Sequence, residues 1–399
     1  MALVSHVLGD CPGCGHKDYF GNVDVFGGKY VYLGCKSCRY SERVPLPKLR
    51  KKILYLDQFF FSHAFRGEEK RFLDAAARIE RATSLQLLVV PYSSIHKDET
   101  HQWSRRDELF KFIKATSRGH SFIAAFKVDR IQLIKAFRAW LAHAPAAYEL
   151  AESDVLRNDV HGWDSSFRIE VGQYTRDIEL IRELKGKSIE SLVGFFDDWR
   201  TLTTTFERDV EDEYSISGKR YIDFYLDYVA RIAAGDYEAQ FNAPVASTVV
   251  ETMLRVTPTD VPNDQRQRLC AMFLMQSEHF KETPHHKLSA RIYGTLKDMV
   301  KRGAYTNKER ALKRLAGFFY DVSHISTYAP YCDAFVMDTP MAELVAKPTV
   351  ALEQTYGTKV FSLNNWDDLL AWLDGLAEGM TEEHKAGLAI AYPRRFSRG

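Results

Sequence analysis

Long apolar runs are missing from this 399-residue chain, and so is any excess of charge. No stretch approaches the ~18 consecutive apolar residues that a membrane helix needs, which argues against a membrane-spanning protein. Lys and Arg number 54 against 53 Asp and Glu, a net charge of +1, so no global field marks the chain for DNA, RNA or lipid. Any nucleic-acid surface must therefore be local. The opening MALVSHVLGDCPGCG lacks the apolar core of a secretory leader. Cysteine is scarce, six in all, and four of the six stand in two CxxC pairs. That usage argues for metal in a reducing compartment rather than for disulfides, so the expected location is the cytoplasm. Internal repeats and low-complexity tracts are also absent, which excludes a solenoid or a disordered linker protein. What remains is ordinary globular composition, long enough for one large domain or two to three smaller ones.

The first strong signal is CPGCG (Cys11, Cys14) followed by GCKSC (Cys35, Cys38). Between them GHKDYFGNVDVFGGKYVYLG reads as alternating strand with a turn at Gly27 and Gly28. Two CxxC knuckles joined by a hairpin present four thiolates in the tetrahedral arrangement that Zn²⁺ accepts, and the pattern resembles a zinc ribbon over residues 1–46. Four thiolates leave no open position, so the zinc is expected to be structural, replacing a core that so short a unit lacks. The ribbon is mildly basic (Lys17, Lys29, Lys36, Arg39, Arg43), and a basic linker with Lys48, Arg50, Lys51 and Lys52 follows. Nucleic acid or a partner protein are both open as its target.

Carboxylates carry the second signal. The apolar run ILYL stops on Asp57, and LLVV, stopped by Pro91, precedes a helix that Ser93 or Ser94 can cap and that carries His96, Asp98 and Glu99. Strand, helix, strand, helix is the order of an α/β sheet with parallel pairing. Toward the other end, an apolar stripe at Ala311, Leu315, Phe318, Val322 and Ile325 is bordered by Asp321, and AFVM (334–337) stops on Asp338. KVFSL is a further strand, followed by a helix from Trp366 to Leu376. In open parallel sheets ligands bind at the carboxyl ends of strands, so neighbouring strands ending on Asp57 and Asp338 would make a site there. Clustered carboxylates repel unless a cation sits among them, and oxygen ligands suit Mg²⁺ or Mn²⁺. Taken singly, each aspartate also has a plainer reading as a helix cap.

In order and type these segments (YLDQ, VVPYSSIHKDE, the D-x-x-H at Asp321 and His324, and DAFVMD) resemble the PIN-domain nucleases. The resemblance spans roughly residues 53–110 and 280–376 and implies a Rossmann-like α/β/α core that cleaves nucleic acid, RNA above DNA. It also implies a Mg²⁺ or Mn²⁺ site and a catalytic quartet of Asp57, Glu99, Asp321 and Asp338, with Asp98 and Asp333 in reserve. The sequence departs from the family at Val336, where a threonine is usual, and the final run is one residue short between its aspartates. His96 and His324 are assigned to packing or support. The expected fold is thus α/β: a zinc ribbon, a PIN-like core in two halves (53–110 and 271–378), a mainly helical insertion (111–270) and a tail (379–399).

The insertion contains helical patterns such as IELIREL, IESLVGFFDDW and YIDFYLDYVARIAA. Residues 101–140 hold nine Lys or Arg against three Asp or Glu, which makes Arg105, Arg106, Lys111, Lys114, Arg118, Lys127 and Arg130 a candidate phosphate track. A solvated helix face is the competing reading. The expected activity is metal-dependent hydrolysis of nucleic-acid phosphodiesters, with a role in bacterial defence suggested by architecture alone. The alternatives are a non-catalytic scaffold on a degenerate nuclease fold and a phosphatase or nucleotidase with the same acidic site. Oligomeric state is open.

Overall fold

The structure, a computed structural model, describes residues 2–100, 103–165, 189–236, 238 and 245–393. The expected IELIREL helix, at residues 178–184, lies outside the described residues.

Two sheets organise the chain. The first is antiparallel, in the order β1 (His6–Gly9), β2 (Phe20–Phe26), β3 (Tyr30–Cys35) and β4 (Ser41–Pro45). The β2–β3 hairpin turns at Gly27 and Gly28, whose φ values of +58° and +67° are the left-handed geometry that glycine adopts without penalty. The second sheet is parallel throughout, in the order β6 (Leu88–Val89), β5 (Lys52–Leu56), β7 (Ala334–Val336), β8 (Lys359–Phe361).

Alternation along the parallel strands divides the core. Ile53, Tyr55, Val89 and Phe335 face the helices Pro284–Lys301 and Phe318–Tyr328. Leu54, Leu56, Leu88, Ala334 and Val336 face α1 (Gln58–Arg66), α2 (Lys70–Ser84), α4 (Arg106–Thr116) and the Trp366–Glu378 helix. Strands buried on both faces read as continuous apolar runs, which is why ILYL and AFVM stood out. The result is a three-layer α/β arrangement. A third core, with Leu133, Phe137, Val249, Met253, Cys270 and Phe273, belongs to the helical insertion.

Several boundaries differ from expectation. The stripe from Ala311 to Ile325 is two helices, Lys308–Arg314 and Phe318–Tyr328, because Gly317 caps the second. Residue 110 falls inside α4, whose Leu109 and Ile113 pack with Phe60 and Phe61, so the first half of the core runs past it. The supposed tail contains a helix, Glu382–Ala391, that docks on the ribbon: Asn22 donates to the Ile390 carbonyl at 2.7 Å, and Leu388 is buried beside Trp163 and Val31. The basic linker is consumed by structure. Lys51, 1% exposed, donates to Asp164 at 3.1 Å, Arg50 pairs with Glu152 at 2.6 Å and Lys52 with Asp333 at 2.7 Å. Among the described residues no helix is long and apolar enough to cross a membrane.

Candidate metal centres

The four cysteines meet. Sγ atoms of Cys11 and Cys38 lie 3.6 Å apart and those of Cys14 and Cys35 3.8 Å, and one atom from each of the four falls within 4.8 Å of the others. Backbone N–H groups of Gly13, Ser37 and Tyr40 point at the sulfurs of Cys11, Cys35 and Cys38 at 3.2–3.4 Å. Burial works against the Cys35 thiolate, but the N–H groups of Cys38 and Ser37 outweigh it and hold its pKa down to about 6. Sulfurs preset to accept hydrogen bonds in a tetrahedral cluster fit a structural Zn²⁺.

The second group sits at the carboxyl edge of the parallel sheet. β5 leads to β6 on one side, while β7 flanks it on the other, so the order reverses between β5 and β7 and leaves a crevice there. Asp57 follows β5 and Asp338 lies two residues past β7. Both are helix N-caps: Asp57 accepts from the Gln58 N–H at 2.6 Å, and Asp338 accepts from the Met341 N–H at 2.9 Å. The capping reading and the site reading therefore hold at once. Around Asp57 gather Glu99, from α3 (Ser94–Thr100), and His324, from the Phe318–Tyr328 helix, each offering a ligand atom within 4.8 Å of the others. His324 Nε2 lies 3.1 Å from Glu99 Oε2 and 4.0 Å from Asp57 Oδ1.

Electrostatically this group is short of positive charge. Burial raises the Asp57 pKa well above the usual carboxylate range, and Glu99 and Asp338 push it further, against one N–H bond from Gln58. Burial also raises Asp338, with the Met341 N–H and Arg314 opposing. His324, fully buried, is driven down to about 3 and is neutral. A neutral imidazole beside two frustrated carboxylates is a donor set that a divalent ion would satisfy. A further buried acceptor points the same way. Gln58, next to Asp57, is tied through Nε2 to Thr100, next to Glu99, at 3.1 Å, and its Oε1 has no hydrogen-bond partner.

The expected residues are placed as follows. Asp57 and Glu99 join the group and Asp338 borders it. Asp321 does not belong to the trio: its carboxylate lies back along its own helix, so close that a Cβ on Gly317 would sit 2.9 Å from its Oδ2. His324, read as packing or support, supplies the third ligand atom instead. Asp98 lies toward Tyr320 and Tyr328, both of whose pKa values it raises. Asp333 is at the opposite end of β7, where its Oδ2 accepts from the Ile53 N–H at 2.8 Å and locks the β5–β7 register.

The proposed phosphate track is not one surface. Arg118 turns inward at φ +49° to reach Asp164 at 3.5 Å, which removes it from any solvent-facing stripe. Arg105 pairs with Glu108 at 2.5 Å and stacks on Phe65, and Arg106 lies 3.8 Å from Asp107. Lys111 and Lys114 remain on α4, and Lys127 and Arg130 on α5 (Ala125–Leu141).

Sequence reasoning missed Tyr55. It is fully buried, and its hydroxyl bonds Ser93 Oγ at 2.7 Å and His324 Nδ1. The available signal was a phenol in the middle of a strand buried on both faces, since a buried tyrosine hydroxyl needs a partner. Compared with protein-family models, with curated proteins and with solved structures, the chain matches none of them.

Proposed function

We propose that the chain is a metal-dependent hydrolase of nucleic-acid phosphodiesters, RNA favoured over DNA, with a PIN-like core. The observation that carries this reading is the Asp57–Glu99–His324 group at the sheet's switch point, with Asp338 beside it and too little positive charge around it. A divalent ion held there polarises a phosphoryl oxygen and makes water a nucleophile near neutral pH. Asp57, fixed by its cap bond to Gln58, and His324, fixed by Tyr55, position the ion. Glu99 is partly open to solvent, 12% exposed at its side chain, and is the residue best placed to orient an incoming water. The nitrogen ligand favours Mn²⁺ or another first-row ion over Mg²⁺. The ribbon and the lysines of α4 hold the polymer.

The test is cleavage of labelled single-stranded RNA, tRNA, single-stranded DNA and duplex DNA with Mn²⁺ and with Mg²⁺. Asp57→Asn, which keeps the helix cap, is expected to cut at least ~100-fold slower with folding intact. Full activity in that variant would sink the assignment. Because carboxylate-held metal does not specify the ester, nucleoside monophosphates belong in the same panel. Hydrolysis of those alone would replace the nuclease reading with a phosphatase or nucleotidase. Binding of polymer without any cleavage would leave a scaffold.

A further inference from the structure

The hydrogen bonds behind His324 form a chain with one fixed end. His96 Nδ1 accepts from the Ser93 backbone N–H at 3.0 Å, so His96 carries its proton on Nε2, which donates to the Leu56 carbonyl at 2.8 Å. Both partners are backbone groups that cannot reverse. Between His96 and His324 stand two hydroxyls that can: Ser93 Oγ lies 3.4 Å from His96 Nδ1 and 2.7 Å from the Tyr55 hydroxyl, which in turn bonds His324 Nδ1. All four side chains are buried, and Leu56, where the chain ends, immediately precedes Asp57.

With no cation present, His324 Nε2 is 3.1 Å from Glu99 Oε2, a hydrogen-bond distance that places the ring proton on Nε2. Nδ1 then accepts from the Tyr55 O–H, and the Tyr55 oxygen accepts from Ser93. A cation shared with Asp57 and Glu99 needs the Nε2 lone pair, so the proton must be on Nδ1.

We infer that Tyr55, Ser93 and His96 are a tautomer relay: metal entry moves the His324 proton from Nε2 to Nδ1, and the two hydroxyls turn round to receive it. Nδ1–H donates to Tyr55, the Tyr55 O–H to Ser93 Oγ, and the Ser93 O–H to His96 Nδ1. Three mobile protons are present before and three after. One leaves Nε2, one arrives at Nδ1, no heavy atom moves, and no donor is left unpaired. Tyr55 is thus a positioning residue that acts through His324, and a phenylalanine there would leave Nδ1–H buried without an acceptor.

This inference rests on the Asp57–Glu99–His324 reading, and the test separates the two. The zinc-loaded full chain, labelled with ¹⁵N-histidine, is titrated with Zn²⁺ beyond the ribbon's share. His324 signals, assigned by their loss in His324→Asn, are expected to change from Nε2–H to Nδ1–H, while His96 keeps Nε2–H throughout. Mn²⁺ affinity measured by electron paramagnetic resonance is expected to fall ~10–100-fold in Tyr55→Phe, and to fall in Ser93→Ala but recover in Ser93→Thr. Metal binding with His324 still protonated on Nε2 overturns the relay alone, as does unchanged Mn²⁺ affinity in Tyr55→Phe. Absence of binding overturns the relay together with the metal site. Binding with the tautomer change but without cleavage leaves the relay standing and removes the nuclease reading.

Discussion

In the ribbon, four ligand sulfurs come from residues 11–38 of one small β unit. At the sheet edge, three ligand atoms come from residues 57, 99 and 324 on three elements of a large core. The ribbon's own buried set is small (Cys11, Phe20, Val25, Val31, Leu33, Cys35) and is completed by Trp163 and the Glu382–Ala391 helix. The sheet-edge ligands stand on a core that is packed without them. So in one region metal substitutes for packing, and in the other packing holds a site for metal. Deleting a ligand should therefore have opposite consequences for stability in the two regions.

The largest expected effect is loss of the ribbon. Structural zinc is worth ~10–16 kcal/mol in isolated small modules, and here its removal also undocks the helix bonded to Asn22. Chelation at neutral pH, or Cys35→Ser, is expected to abolish hydrogen-exchange protection in β1–β4 and in residues 382–391, while β5–β8 stay protected. Protection retained in the ribbon would remove the distinction between the two regions.

Next comes the junction between them. Asp164 receives Lys51, His120 and Arg118 at 3.1, 3.2 and 3.5 Å and is nearly buried. Removing one partner of such a pair strands the other charge and costs ~3–5 kcal/mol. Lys51→Met is expected to lower the urea unfolding free energy by about that amount and leave Mn²⁺ binding unchanged.

At the sheet edge the sign reverses. The folded Asp57 pKa is raised above its unfolded value, so its contribution to stability is present at acid pH and is lost as pH rises through the folded value. The metal-free protein should therefore melt at lower temperature at pH 8 than at pH 6 on account of this group. Mn²⁺ at ~100 times its dissociation constant should restore ~2.7 kcal/mol. Asp57→Asn should remove that restoration and raise the metal-free melting temperature at pH 8. A drop in melting temperature on losing the carboxylate would show that Asp57 is a structural residue after all.

How far the two regions could be read in the sequence follows from the same difference. The ribbon is local: ligand spacing, strand alternation and the Gly27–Gly28 turn lie within some forty residues, so spacing alone conveys it. Of the sheet edge, Asp57 and Asp338 were legible because strands buried on both faces end abruptly on a charge. Glu99 followed from the proline and cap that start its helix. The exchange of Asp321 for His324 was not legible. The helix carrying them is buried at Val322 and at every position from His324 to Tyr328, so the usual contrast between an apolar and a polar face is gone. Charge counting failed at Arg118 and Lys51 because a buried acceptor, Asp164, lies far away in sequence.

The smallest effect isolates what the metal group adds to a buried carboxylate. Glu213, on the Phe206–Ala233 helix, is raised to about 7 by burial, with Lys297 opposing and Asp209 and Asp212 adding to it. Its sign is that of Asp57: stability is present below its unfolded pKa and is lost as pH rises toward 7 and beyond. It belongs to no cluster of ligand atoms among the described residues. Glu213→Gln is therefore expected to raise the melting temperature by ~2–4 °C at pH 8 and by little at pH 5, a gain of about 1 kcal/mol. Mn²⁺ should stabilise this variant as much as the parent. If it does not, the cation's effect is a general response to buried negative charge, and Asp57, Glu99 and His324 lose their claim to be a site.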